Sequence, residues 1–199
     1  MTLPNWNQDD YLVSFKDFEY SGPITEAPII FKAIKVFEFL FKDIFPDAFR
    51  ALNCGAELSA LLLCFSTIEY LAGYYCGSEY SRGNFLSYLK AFYPNIYQDL
   101  CLEIYEQLRC GLVHNLNLKN PWKISNINFK IKENSEFHLQ HDGNDVIFSI
   151  FHLIEDTRRS ALKFFHQIVM YPEKNKEIID NFNFRFNKQD GISSFMIKN

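Results

Sequence analysis

A chain of 199 residues in which nearly half are hydrophobic and 17% aromatic, with 21 Phe, excludes a disordered or low-complexity protein and fits one domain with a sizeable core. The net charge of −4 excludes a general nucleic-acid coat protein. That charge is unevenly placed: residues 1–60 hold five Lys/Arg against nine Asp/Glu, and residues 157–199 hold eight against four.

Residues 1–27 read as an N-terminal arm. Tyr11 to Tyr20 has the make-up of one short strand, and Ser21-Gly22-Pro23 breaks it. The opening MTLPNWNQDD is polar and acidic, unlike a secretory signal. Five cysteines, at 54, 64, 76, 101 and 110, form no CxxC pair and mostly sit among apolar residues. Together these features point to a reducing cytoplasm, with no zinc site and no metal or other cofactor.

Pro28 to Phe45 reads as the first long helix, with Ile30, Ile34, Phe37 and Phe41 at helical spacing. Phe45-Pro46-Asp47 predicts a turn, with Asp47 as the next N-cap. Ala48 to about Cys76 then reads as one longer helix, apolar on most sides and central to a bundle. Its longest uncharged stretch, Leu58 to Ile68, is too short to span a bilayer. Glu69 closes that stretch. It is either buried against a cation, Arg109 or Arg82, or exposed on a solvent edge. Ser81 to Tyr93 predicts a short third helix that Pro94 ends.

Leu100 to Asn115, LCLEIYEQLRCGLVHN, is the stretch that carries chemistry. Cys101, Ile104, Leu108 and Leu112 form its apolar face. Arg109 lies about 100° round from Leu108. In a continuing helix Arg109 and His114 stand about 140° apart, so the expectation is that the helix unwinds near Gly111 and lets both face one cleft. A structural role competes with this. Glu106 is at salt-bridge spacing from Arg109, and His114 is placed to bond carbonyls at the helix end.

Past the motif, Trp122 to Lys132 and Glu136 to His141 alternate apolar and polar residues around Asn134-Ser135. This predicts a β-hairpin insert over residues 122–141. Its lysines, with Lys119, Lys123, Lys130 and Lys132 in the stretch, are either a lip over a phosphate site or ordinary strand-surface groups. Asp145 to Met170 reads as the last long helix, capped by Asn144 or Asp145. Ile147, Ile154, Ala161 and Ile168 recur every seven residues as core positions, and His152, Arg159 and His166 do so as a polar stripe. From Pro172, KEIIDNF forms a short helix in the tail.

The predicted architecture is a mainly α helical bundle with four or more long helices and one small hairpin. The arm is 1–27, the bundle 28–170, and the C-terminal helix and tail 171–199. Arg109, Cys110, Gly111, Leu112, Val113 and His114 form an arginine, four residues and a histidine at the end of a helix in a helical chain. That pattern resembles the HEPN superfamily of small helical bundles. Two positions differ from the common pattern: Cys110 stands where Asn or Asp is frequent, and Leu116 where Tyr is frequent.

The resemblance implies a metal-independent RNA endonuclease of the toxin or defence kind. Arg109 and His114 would be catalytic, cutting to a 2′,3′-cyclic phosphate across a homodimer, with an antitoxin as a further partner. The side-chain chemistry suits those roles. An imidazole titrates near neutral pH and takes a 2′-hydroxyl proton. A guanidinium offers a planar fork to phosphate oxygens. Asn115, and more weakly Lys119, are the candidate substrate-binding residues. The alternative function is a non-catalytic helical module that binds a protein partner or a nucleotide. A Cys110 nucleophile beside Arg109 lacks an oxyanion hole and a third orienting residue.

Overall fold

A computed structural model describes residues 20–23, 26–79, 81–115 and 127–188; of Val113, His114 and Asn115 it describes the helical backbone alone. The N-terminal arm to residue 19, Lys119, Trp122 and Lys123 lie outside the described residues. The chain forms a mainly α bundle with a small sheet inserted before its longest helix.

α1 (Ile29–Phe39) runs through a π-helical turn, Leu40–Ile44, into α2 (Phe45–Asn53) without leaving helical backbone angles. The expected turn at Pro46 is therefore absent. Proline has no N–H and its ring collides with the carbonyl four residues back in an ordinary α-helix. The wider π turn immediately before it gives that ring room. Asp47 pairs with Arg50 instead of capping a helix. The real break comes at Cys54-Gly55, where Gly55 has φ +74°.

α3 (Glu57–Cys76) is the central helix, packed against α2 and against the later helices α4 (Arg82–Phe92), α7 (Ile150–Met170) and α8 (Lys176–Lys188). It is long and apolar enough to cross a membrane by length and composition, and 56% of its most apolar window is buried inside the fold. It ends at Gly77, φ +64°, where a Cβ would stand 2.5 Å from Asn181 Oδ1 of α8. Gly77 therefore supplies both the left-handed cap and the room for α8. α4 starts, as expected, with Ser81 accepting the Asn84 N–H at 3.1 Å.

The phenylalanines fill the interior. Among the described residues the largest fully buried side chains are all Phe or Tyr. Phe164 is a hub, with ring centroids 5.3 Å from Phe92, 5.9 Å from Tyr88 and 6.2 Å from Phe182. Phe182 belongs to α8 and is wholly buried, so α8 is a structural member of the bundle.

The insert is a three-stranded sheet in the order β1-β3-β2. β1 (Asn128–Lys132) pairs parallel with β3 (Asp145–Ser149), and β2 (His141–Asp142) pairs antiparallel on the other side of β3. The small β insert is thus present, but its hairpin joins β2 to β3 through Gly143, φ +65°, instead of joining residues 122–132 to 136–141. Glu136 to Leu139 is a turn. α7 accordingly starts at Ile150 with Ser149 as its cap, five residues later than expected, because Asp145 to Ser149 is strand. Of the seven-residue series, Ile154, Ala161 and Ile168 are buried core positions of α7, whereas Ile147 is buried from strand β3 and not from the helix.

Candidate functional site

The motif helix is built from α5 (Cys101–Glu103), a six-residue π segment, Ile104–Arg109, and α6 (Cys110–Asn115). A π turn holds more residues than an α turn, and such turns gather at functional positions. Here it lets Ile104, Tyr105, Leu108 and Arg109 all face inward. Arg109 is only 7% exposed.

A buried guanidinium requires a counter-charge. Arg109 Nε donates to Glu69 Oε1 of α3, the pairing that the carboxylate in the apolar run called for. The guanidinium carbon lies 5.7 Å from the Tyr105 ring centroid, and Nη1 contacts Cys110 Sγ at 3.8 Å. Glu106, the other partner at helical spacing, turns outward and accepts from Arg82 of α4 at 2.8 Å. Arg109 is thus held on the bundle side by an ion pair from another helix.

The expected unwinding near Gly111 does not occur. Helix continues through Gly111 to Asn115. Glycine costs a helix about 1 kcal/mol relative to alanine. Leu108 and Leu112, both essentially buried, flank Gly111 and offset that cost. Arg109 and His114 therefore share one helix but stand about 140° apart round its axis, so the expectation that unwinding turns both into one cleft fails. The side chains of His114 and Asn115, and all of Lys119, lie outside the described residues.

The hairpin lysines divide. Lys130 bonds Asp142 at 2.9 Å and Asp145 at 3.2 Å on the sheet surface, and Lys132 is exposed. The stripe on α7 also divides. His152 stacks on His138 with centroids 5.5 Å apart and its Nδ1 sits 2.9 Å from Ser149 Oγ, whereas Arg159 and His166 are exposed.

A second polar cluster was not anticipated from the sequence. His138 Nδ1 accepts the Ser149 backbone N–H at 2.9 Å. A neutral ring then carries its proton on Nε2, which donates to the Tyr97 hydroxyl at 2.8 Å. Tyr97 in turn donates to Asp156 Oδ2 at 3.0 Å. Burial, then the neighbouring His152, pushes His138 down to about 3. Burial raises Asp156, partly opposed by the Tyr97 hydrogen bond. The cluster is closed, uncharged at His138 at neutral pH, and sealed within the fold. The one sequence signal for it was the polar series Asp156, Thr157, Ser160 on the otherwise apolar inner face of α7.

Among the described residues no three His, Cys, Asp or Glu side chains converge as a metal-binding group. Comparison with protein-family models, curated proteins and solved structures gave no match.

Proposed function

We propose that this protein is a metal-independent RNA endonuclease whose site is formed by Arg109 and His114. The observation that carries the reading is the placement of Arg109: an arginine fixed within a π turn by a carboxylate from a neighbouring helix. His114 stands about 140° round the same continuing helix, and the two meet at one phosphate in the paired arrangement that the HEPN resemblance implies. Preorganised charge of this kind is what a phosphoryl-transfer transition state requires. His114 takes the proton of a 2′-hydroxyl, the 2′-oxygen attacks the adjacent phosphorus, and the 5′-oxygen leaves and takes a proton from water. Arg109 stabilises the added charge on the phosphorane oxygens. The products are a 2′,3′-cyclic phosphate and a 5′-hydroxyl.

The paired arrangement implied by the HEPN resemblance makes the working form a cytoplasmic homodimer, with an antitoxin as the natural partner. Light scattering across a dilution series should give twice 23.5 kDa. The dimer rests on that resemblance alone, since one aromatic core already buries much of the Phe complement.

The test is cleavage of total RNA and purified tRNA in EDTA. The parent chain should cut, a 2′-deoxy residue at the cut site should block it, and His114→Ala should be inactive with its helical spectrum intact. One observation favours the second reading, a non-catalytic module that binds a protein partner or nucleotide: the Glu69 carboxylate already engages the Arg109 guanidinium. That reading prevails if no form of the protein cuts RNA.

A further inference from the structure

A groove lies at the far end of α7, lined by neither Arg109 nor Glu69. Arg159, Lys163 and His166 recur at spacings of four and three, so they share one face of α7. The 3-10 turn Pro172–Lys174 brings Tyr171 and Lys174 back beside that face, and Phe92 from the end of α4 closes the floor. The resulting open groove has a volume of about 790 Å³, in the range of small-molecule sites.

Among the described residues its lining contains Arg158, Arg159, Lys163 and Lys174 and no Asp or Glu, in a chain whose net charge is −4. Arg158 is held by Glu155 at 3.1 Å, just outside the groove. Arg159 is 3.9 Å from the same carboxylate. Lys163 gives one of its three N–H groups to the Phe92 carbonyl at 3.2 Å. The lining is therefore built for an anion. It is also built for a ring. Tyr171 is 47% exposed, with His166 edge-on to it at 5.5 Å and the Lys174 ammonium 5.4 Å from its centroid. Beside it, the Asn175 amide nitrogen donates to the Gln167 and Tyr171 carbonyls at 3.0 and 2.9 Å. Those bonds use both of its hydrogens and leave Oδ1 as an acceptor.

We propose that this groove binds a nucleoside phosphate. Its phosphates meet Arg159 and Lys163. Its base stacks on Tyr171, releasing Lys174 to the phosphates, and presents an exocyclic amine to Asn175 Oδ1. The site is independent of cleavage at Arg109.

Calorimetry on the full chain tests it with ATP, adenosine, tripolyphosphate and a short single-stranded RNA. ATP should bind, and adenosine and tripolyphosphate each much more weakly. Tyr171→Ala should weaken ATP by roughly tenfold or more, the worth of one stacked base, and leave tripolyphosphate binding unchanged. Arg159→Glu combined with Lys163→Glu should abolish binding of both. All three positions are exposed, so the variants should melt as the parent does. Arg109→Lys should leave ATP binding intact, which separates failure of this site from failure of the cleavage site. The proposal is overturned if ATP fails to bind at millimolar concentration. It is also overturned if tripolyphosphate binds as well as ATP, or if RNA affinity exceeds that of ATP and rises with strand length.

Discussion

The Tyr97–His138–Asp156 network and the Arg109–Glu69 pair lie in the same aromatic bundle but meet the cost of burying polar groups differently. In the network each hydrogen bond fixes the next: the Ser149 N–H sets the His138 tautomer, His138 donates to Tyr97, and Tyr97 donates to Asp156. Its worth is structural, because leaving any member without its partner carries a desolvation penalty. The ion pair instead sets a permanent cation on a π turn, held from α3 and next to the helix that carries His114. Apolar replacement of a buried ion pair is often as stable as the pair itself. The pair therefore does not have to be a net stabiliser of the fold, and the proposed role of Arg109 at phosphate is what the variants below test.

The largest expected effect falls on the pair's side. Arg109→Lys keeps the charge but loses the fork, and His114→Ala loses the base. Removing one preorganised electrostatic donor costs roughly 3–4 kcal/mol of barrier, or about two to three orders of magnitude in rate. Cleavage of tRNA by each variant, at matched folded concentration, measures this. Tyr97→Phe should leave cleavage per folded molecule unchanged. If Tyr97→Phe slows cleavage as much as Arg109→Lys does, the distinction between the two clusters is wrong.

The network's own effect is on stability. Tyr97→Phe removes one hydroxyl that serves both His138 and Asp156, at a cost of about 2–3 kcal/mol. For a chain of this size that lowers Tm by about 5–10 °C in a calorimetric scan.

A somewhat smaller effect follows from pH. His138 titrates at about 3 in the folded chain against an ordinary value of 6.5, so between those values the unfolded chain binds the additional proton. Its contribution is therefore present above about pH 6.5 and is lost as the medium is acidified toward 3. Between pH 7 and pH 5 this removes about 2 kcal/mol of folding free energy. His138→Gln, whose amide oxygen can take the Ser149 N–H and whose NH₂ can reach Tyr97, should flatten that part of the urea-denaturation profile against pH. An unchanged slope would show that His138 is not the group responsible.

The two clusters also differ in how much of them the sequence revealed. Glu69 was legible only as a choice: a carboxylate at the end of eleven uncharged residues is either buried against a cation, Arg109 or Arg82, or exposed on a solvent edge, and the contact between α3 and the motif helix decides for Arg109. The bundle was legible because helical spacing in residues 28–45, 58–76 and 150–168 is long and unbroken. The network was not, because its members lie 41 and 59 residues apart and no spacing rule joins them. Short apolar runs misled in a different way. Val146 to Phe148 is apolar without alternation, so nothing local separates a buried strand from the first turn of α7. Glu136 to His141 alternates, but Glu136 to Leu139 is a turn, with Leu139 at φ +59°, because Leu139 and Gln140 hydrogen-bond to Ile147 of β3, and only His141 reaches strand. The π turns were hidden as well, since a one-residue slip in hydrogen bonding is decided by packing across helices.

The smallest expected effect tests the pair most directly. Glu69→Gln keeps an oxygen that can accept from Arg109 Nε but removes the counter-charge. The pair is partly open, with 19% of the Glu69 side chain exposed, so water can compensate some of the loss. The stability cost should therefore be modest, about 1 kcal/mol. Cleavage should respond differently. An arginine no longer anchored by a carboxylate samples more orientations, so kcat should fall while KM changes little, and the loss should be smaller than for Arg109→Lys. Glu69→Asp, which keeps the charge on a shorter arm, should recover part of kcat. If Glu69→Gln instead destabilises the chain by several kcal/mol and leaves kcat untouched, the pair is a structural clamp and Arg109 has no role at phosphate.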